Sequence, residues 1–395
     1  MENTFFQNVL EFIEFVLRLI WTLIPIILPL LIMALGIRWF VRLRYSRDDD
    51  PISDRLAAIS SNADGRYYIV SLFYATDRKP TGDKRPSQYY GAERGNLVYG
   101  QCDVTIPRRH HLCVIERPHW WMLRFKENTS KDIILLGTTQ LEWDELVSLV
   151  KKDLNIAPRR KILIFVHGYN VSFAEAARRT AQLVFDLSYE GVPFLFSWPS
   201  AGSTLGYIHD LECARGSASK FRKFILDIAT QSNCGDIQII AHSMGGVVIT
   251  EALRDAELRS KLDESNVKLS DIILAAPDLD AKVFAEEIVP AIASVSRSIT
   301  VYASSGDMPL TMSSYLRGGM QRVGIIDTNR EIVDMIDTID ASNIADSLLG
   351  HGYFSDTAPM INDMYHLLRH GLPPSERNLQ PVECIGARYW IFPPR

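Results

Sequence analysis

A serine that could act as a nucleophile closes the run Asp236-Ile-Gln-Ile-Ile-Ala-His-Ser243 and opens Met244-Gly-Gly-Val-Val-Ile-Thr250. An apolar strand stops at Ser243 and a helix starts directly after it. This is the pattern of a nucleophile elbow, a turn so tight that the serine oxygen projects above the sheet instead of packing into it. Crowding in such a turn demands small residues two before and two after the serine. Ala241 and Gly245 hold those places, with Ala241 standing where glycine is more usual. The Met244 amide falls at the helix N-terminus, where partial positive charge can meet an oxyanion. Taken alone, A-x-S-x-G fits an inert serine–glycine turn equally well.

A second run, Lys161-Ile-Leu-Ile-Phe-Val-His-Gly-Tyr-Asn170, shifts that balance. It is another apolar strand, ending in His-Gly. In the α/β-hydrolase fold the loop after the third strand donates the second oxyanion N–H. Gly168 permits the sharp turn; Tyr169 is the best-placed donor and Asn170 the next. Ser172 and Glu175 form a capping box that starts a helix over 173–189. His167 and His242 read as structural, the first holding the oxyanion loop and the second pointing away from the serine.

A serine hydroxyl needs a base, and the base needs an acid to orient it. In this fold the chain order is serine, acid, histidine. That leaves His351, His366 and His370. The last two lie four apart on an expected helix, where surface or packing roles suffice. His351 sits in Leu349-Gly-His-Gly-Tyr-Phe354, a glycine-flanked loop beyond the last strand, and is the expected base. Two acids compete, each just past a strand end. Asp307 is favoured because the acid commonly follows the strand after next from the elbow; Asp278 is the alternative.

These elements need a scaffold. After Arg160 the pattern is strand, helix, strand, helix, with apolar strands at 162–166, 193–197, 237–241, 272–276 and 299–303, a last strand near 333–339 and a helix near 362–370. Nearly continuous apolar strands imply a mostly parallel central sheet with helices on both faces. The front, 67–155, reads as β-rich, with strands at 67–75, 97–106, 112–116 and 133–138 and a helix over 142–154. Residues 48–66 are polar and read as a linker with a short helix near 52–59.

Ahead of the linker, residues 1–47 read as a membrane anchor. No charge interrupts Leu19 to Ile37, and a span of about 17–39 is long enough for one transmembrane helix. Glu2, Glu11 and Glu14 precede it, and Arg38, Arg42, Arg44 and Arg47 follow it. The positive-inside rule then predicts a cytoplasmic domain over 67–395, whose catalytic core is 160–370. The chain of 395 residues has a formal net charge of −5, which gives no sign of nucleic-acid binding. Its five cysteines include no C-x-x-C and read as reduced thiols, with Cys102 and Cys113 the one pair that an oxidising compartment could join. No metal or organic cofactor is expected.

The strings Phe73-Tyr-Ala-Thr-Asp-Arg78, Gly91-Ala-Glu-Arg-Gly95, Val166-His-Gly-Tyr-Asn-Val-Ser172, Phe196-Ser-Trp-Pro-Ser200 and Ala241-His-Ser-Met-Gly245 resemble a bacterial family of α/β-hydrolases, esterase/lipase-superfamily enzymes of largely unknown substrate. Ala275-Ala-Pro-Asp-Leu-Asp280, Tyr302-Ala-Ser-Ser-Gly-Asp307 and Gly350-His-Gly-Tyr-Phe354 match as well. The resemblance spans about 67–354. It implies a serine hydrolase with Ser243, Asp307 and His351 as triad, and supplies no substrate. Trp198 is expected either at the acyl pocket or packed beside Pro199; Trp120 and Trp121 are expected as core or cover rather than as substrate contacts. The resulting expectation is a membrane-tethered hydrolase of a carboxylic ester or thioester, with a lipid-derived acyl group as candidate substrate. An acyltransferase, or a non-catalytic interaction protein on the same scaffold, are the alternatives.

Overall fold

In a computed structural model the described residues are 58–118, 124, 126–203, 206–265, 267–326, 335–344, 353–384 and 387–393, all within the unit Pro51–Arg395. In chain order they form strands β1 (Ile59–Ser61), β2 (Tyr67–Pro80), β3 (Tyr90–Pro107) and β4 (Leu135–Leu141), helix α1 (Trp143–Ile156), β5 (Lys161–Val166), α2 (Phe173–Asp186), β6 (Val192–Ser197), α3 (Tyr207–Gln231), β7 (Asp236–His242), α4 (Gly245–Leu253) and α5 (Ala256–Glu264). Then follow β8 (Lys268–Ala275), an irregular helical stretch over 281–293, β9 (Ser296–Ala303), α6 (Met308–Leu316), β10 (Asp337–Asp340), a short turn at Tyr353–Asp356, α7 (Ala358–His370), β11 (Gln380–Cys384) and β12 (Ala387–Ile391).

The strands make one sheet in the order β11-β12-β10-β9-β8-β7-β5-β6-β2-β3-β4, with β1 on β2. Pairing is parallel from β2 through β6, β5, β7, β8, β9 and β10 to β12. It is antiparallel at the front, where β2 pairs β1 and β3 and β3 pairs β4, and at the β11–β12 hairpin. Alternate residues of one strand enter different cores. Ile162, Ile164 and Val166 join one cluster while Leu163 and Phe165 join the other; Ile237, Ile239 and Ala241 oppose Ile240 in the same way. That period of two, with no polar face, is why the central strands read as continuous apolar runs. Helices α1, α3, α4 and α5 cover the first face, and α2 and α7 the second. The α/β-hydrolase architecture, mostly parallel with helices on both faces, is present.

Several local expectations change. Residues 112–116 are not a strand: Cys113 has φ +69, and polar ties to the residues around it replace sheet pairing. The end of the expected linker is instead β1, with Ile59 registered against Val70 and both Ala58 and Ile59 buried. The hairpin β11–β12, where Pro381 and short length hide a strand pattern, extends the sheet beyond the expected last strand. Cys102 and Cys113 are both buried and are not joined by a disulfide. Among the described residues no helix is long and apolar enough to cross a membrane; the expected anchor 1–47, His351, Trp120 and Trp121 lie outside the described residues.

The ties around Cys113 centre on a buried histidine. His110 Nδ1 faces the Glu116 carboxylate at 3.0 Å and Nε2 faces Asp186 Oδ1 at 2.9 Å. Asp186 Oδ2 also accepts the Cys113 amide at 2.9 Å. Burial alone would lower the imidazole pKa, but hydrogen bonds and charge from Asp186 and Glu116 outweigh it and raise it to about 10. With acceptors on both ring nitrogens, the ring is an imidazolium that pins the loop after β3 onto α2. A histidine whose folded pKa lies above its unfolded value, about 6.5, stabilises fully below that value and loses the contribution as pH rises through the folded one. The urea midpoint should therefore fall from about pH 7 to about pH 10 more steeply for the wild type than for His110→Gln. Parallel profiles for the two proteins would mean the ring is neutral.

Candidate active site

The elbow is built as its sequence requires. Ser243 has φ +52, a left-handed conformation that costs a non-glycine residue about 1–3 kcal/mol. Backbone bonds hold it there: the Ser243 amide donates to Ala275 O at 2.9 Å, and Ser243 O accepts from Gly246 at 3.0 Å and from Asp278 at 3.4 Å. A Cβ on Gly245 would stand 2.5 Å from Val166 O and 2.7 Å from His167 O, so only glycine fits two residues after the serine. Met244 is the N-cap residue of α4, at the helix end where backbone N–H groups lack partners within the helix.

The loop after β5 lies directly against the elbow. A Cβ on Gly168 would meet His242 Nδ1 at 2.8 Å and Ser243 Cβ at 3.0 Å. The backbone at 168–169 thus reaches the serine with no side chain between. His167 Nδ1 lies 2.8 Å from Gly168 O, a carbonyl that can only accept, so Nδ1 carries the proton. Burial, then the Arg78 charge, lowers the His167 pKa to about 3, leaving the ring neutral. Its Nε2 therefore accepts, from Ser197 Oγ at 3.1 Å. Ser197 Oγ in turn accepts from Arg78 Nε at 2.9 Å. Because a trans peptide points its C=O and N–H in opposite directions, fixing Gly168 O also fixes the direction of the Tyr169 N–H.

Arg78 is the hub beneath this loop. Its buried guanidinium donates to Val171 O at 2.7 Å, Gly91 O at 3.0 Å and Ser200 O at 3.1 Å. Burial lowers its pKa to about 10, so it stays cationic at neutral pH. Asp210, also buried, completes the support by accepting from the Asn170 amide at 3.1 Å, the Ala201 amide at 2.7 Å and Ser200 Oγ. Asn170, at φ +57, is thereby turned back against α3 and spends its amide on Asp210. Trp198 is fully buried, stacked on His167 with ring centroids 5.0 Å apart, and its indole donates to His167 O at 2.7 Å. It is packed under the loop rather than set at a pocket mouth.

The two acids differ in surroundings. Asp307, buried after β9, caps α6 by accepting the Leu310 amide at 3.0 Å on Oδ1. Asp278, after β8, accepts from Tyr207 Oη at 2.8 Å and Ser313 Oγ at 2.6 Å, with Arg317 Nη2 at 3.7 Å and Arg322 Nε at 3.8 Å. Its two oxygens are engaged in anchoring. The Tyr169 ring packs edge-on to Tyr207, 5.8 Å between centroids. His242 turns its ring onto Phe354, 4.2 Å between centroids. His366 and His370 lie on α7 with ring centroids 6.1 Å apart, and among the described residues no group of three His, Cys, Asp or Glu could hold a metal ion. Arg78 and Asp210 were not singled out by sequence reasoning. Arg78 closes one of the quoted family strings; nothing in the sequence around Asp210 marks it.

Residues 143–369, more than half of the chain, match the model of a family described as "Alpha/beta hydrolase of unknown function (DUF900)". No curated protein matches the chain. Among solved structures, a protein from Lactobacillus plantarum WCFS1 named for an inferred cell-surface hydrolase role is similar over 55% of this chain and 96% of its own, at 12% identity and a TM-score of 0.31. A Trichoderma reesei cutinase, solved with a C11Y4 phosphonate inhibitor, is similar over 55% of this chain and 89% of its own, at 13% identity and a TM-score of 0.29.

The two neighbouring glycines of the elbow should respond oppositely to one methyl group. Gly245→Ala drives a Cβ into two carbonyl oxygens and should lower unfolding free energy by about 1–3 kcal/mol. A Cβ on Gly246 meets Pro277 and Leu279 side chains at 3.5 Å or more, so Gly246→Ala should be neutral or stabilising by about 0.5–1 kcal/mol through helix propensity. Urea denaturation of both variants checks the pair; equal effects would contradict the crowding.

Proposed function

Because the chain belongs to this family of α/β-hydrolases of unknown function, we propose that it is a serine hydrolase that cleaves a carboxylic ester or thioester through an acyl-enzyme. Ser243 Oγ attacks the carbonyl carbon. His351 takes the hydroxyl proton and returns it to the leaving group. Asp307 orients the imidazole, and the Tyr169 and Met244 amides receive the oxyanion. Water then attacks the acyl-enzyme, with the same histidine as base. The observation that carries this reading is Ser243 in a left-handed turn with the Gly168 backbone packed against its Cβ. An inert turn has no use for either strain or contact.

Two further observations support the partners. Phe354, three residues beyond His351, stacks on His242 beside the serine; three residues of chain span at most about 11 Å. Asp307 follows β9, two strands from β7 in the sheet, while the Asp278 oxygens are engaged by Tyr207 and Ser313. The charge-free run from Leu19 to Ile37 supports a membrane tether and with it a lipid-derived substrate, and Arg38, Arg42, Arg44 and Arg47 after it support a cytoplasmic catalytic domain.

A fluorophosphonate probe should label the wild type and not Ser243→Ala. Asp307→Asn keeps a residue able to cap α6, so it should fold normally yet lose about four orders of magnitude in kcat. Asp278→Asn should lose far less. The reverse ranking would move the acid to Asp278, and absence of labelling would remove the activated serine. For the tether, the full chain should stay with membranes through an alkaline carbonate wash, and protease added outside spheroplasts should leave the catalytic domain intact.

A further inference from the structure

Helix α6 turns an apolar face outward. Its residues Met308-Pro-Leu-Thr-Met-Ser-Ser-Tyr-Leu316 include no charged side chain, in a chain that is 23% charged. Leu310 and Ser313 are buried against the domain, while Met308, Met312, Tyr315 and Leu316 are between 58% and 76% exposed. Spacings of four, seven and eight residues put these four on one side of a helix. Met320, also exposed, extends that side. The Gly319 amide donates to Ser314 O at 2.9 Å and Ser314 Oγ donates to Met320 O at 2.8 Å, which folds this residue back on the helix end. From 308 to 320 the one charged residue is Arg317, whose Nε and Nη2 donate to Tyr207 Oη. Single exposed apolar residues are ordinary, but a contiguous group of them marks a surface made for contact.

The inner side of α6 is fixed beside the elbow. Ser313 Oγ donates to Asp278 Oδ1 at 2.6 Å, and the Asp278 amide donates to Ser243 O. Asp307, the N-cap of α6, follows β9 at the same carboxyl edge of the sheet. Whatever the outer face touches is therefore brought to the edge where Ser243 stands. Two features say what that is. The charge-free run Leu19–Ile37 is long enough to cross a bilayer, and residues 38–57 join it to Ala58, a length of chain that reaches about 70 Å at most. A domain of this size has a radius of gyration of about 20 Å, so a leash of that length leaves every face able to meet the bilayer and the surface residues decide which one does. The α6 face holds three methionines, whose flexible thioethers adapt to an irregular apolar partner, and a tyrosine, whose ring suits the boundary between acyl chains and water. It carries no carboxylate that lipid phosphate would repel.

We propose that the outer face of α6, made by Met308, Met312, Tyr315, Leu316 and Met320, docks on the lipid bilayer and turns the Ser243 edge of the sheet toward it. The assignment rests on the proposed membrane tether and goes beyond it: the tether keeps the domain near lipid, and α6 sets which way the domain faces. Docking draws on apolar contact rather than on ionic attraction.

The full-length protein in phosphatidylcholine vesicles tests this, with the fluorophore NBD attached at Met312→Cys or at Ile156→Cys. Ile156 is an exposed apolar residue at the opposite edge of the sheet, where α1 leads into β5. Lipid with a doxyl quencher near the headgroup end of its acyl chain should quench the 312 label at least about twofold more than the 156 label, because a docked apolar face sits about 5–10 Å into the interface. The unsubstituted protein, treated with the same reagent, gives the background from its own cysteines. Tyr315→Asp with Leu316→Asp should remove the difference and leave the thermal unfolding midpoint unchanged; Tyr315→Ser with Leu316→Ser is the second pair should the aspartates unfold the protein. Raising the salt concentration should not remove it. Equal quenching at the two labels, whether a second copy of the chain or its own N-terminal segment covers the face, would overturn the proposal. So would a difference that survives in the folded double variant or disappears with salt. An alkaline carbonate wash separates the two readings. Protein that resists the wash without preferential quenching at 312 keeps its tether and loses the docking face. Protein that the wash removes, yet whose 312 label is quenched at neutral pH, keeps the face and loses the tether.

Discussion

At the carboxyl edge of the sheet two backbones meet with no side chain between them. The turn after β5 and the elbow after β7 approach so closely that neither Gly168 nor Gly245 can carry a Cβ. Everything the site can do depends on that contact. It sets an amide-bearing loop beside a serine whose own backbone is held in an unfavourable region. The strain at Ser243 is matched by what opposes it: three backbone hydrogen bonds at about 1 kcal/mol each are of the same size as the strain itself. The elbow is therefore set by the sheet on either side of it, since β5 supplies the crowding carbonyls and β8 the acceptor for the serine amide.

Behind the contact is a charge out of water. Arg78 could hardly be buried for its own sake; its stabilisation comes from carbonyls and from the acid pair nearby, Asp77 and Asp210. The chain of donors from Arg78 through Ser197 to His167 has a direction, because guanidinium can only give and the Gly168 carbonyl can only receive. Each group between must pass a proton donor forward. A neutral His167 with its proton on Nδ1 gives Gly168 O its donor and leaves Nε2 to accept from Ser197, with Trp198 O also 3.1 Å from Nε2. This is why a histidine next to the serine in space is unavailable as a base: its basicity is spent on holding a peptide plane.

The sequence shows the central sheet clearly, since short apolar runs at 162–166, 192–196 and 272–275 admit few other readings. Ser243, Gly245 and Gly168 are legible for the same reason that they are constrained, because tight turns limit residue choice. What is not legible is long-range polar wiring. Arg78 meets His167 across the width of two strands, and Asp210 meets Asn170 from another helix, so neither spacing nor periodicity announces them. The segment 112–116 fails for a related reason. Its apolar character is real, but ties from His110, Glu116 and Asp186 outweigh it. Short end strands such as β11 and β12 owe their existence to an open sheet edge more than to their own residues.

Arg78 belongs to β2, in the antiparallel front of the sheet, well outside residues 143–369. The stretch that defines kinship is thus not self-sufficient. Excised at its borders, it would keep the serine and the turn beneath it yet leave His167, Ser197 and Val171 facing a hole where a cation had stood. The front strands are better regarded as part of the support beneath this loop than as an ornament ahead of it. A fragment that keeps the Arg78 contacts has to include β2, Tyr67–Pro80.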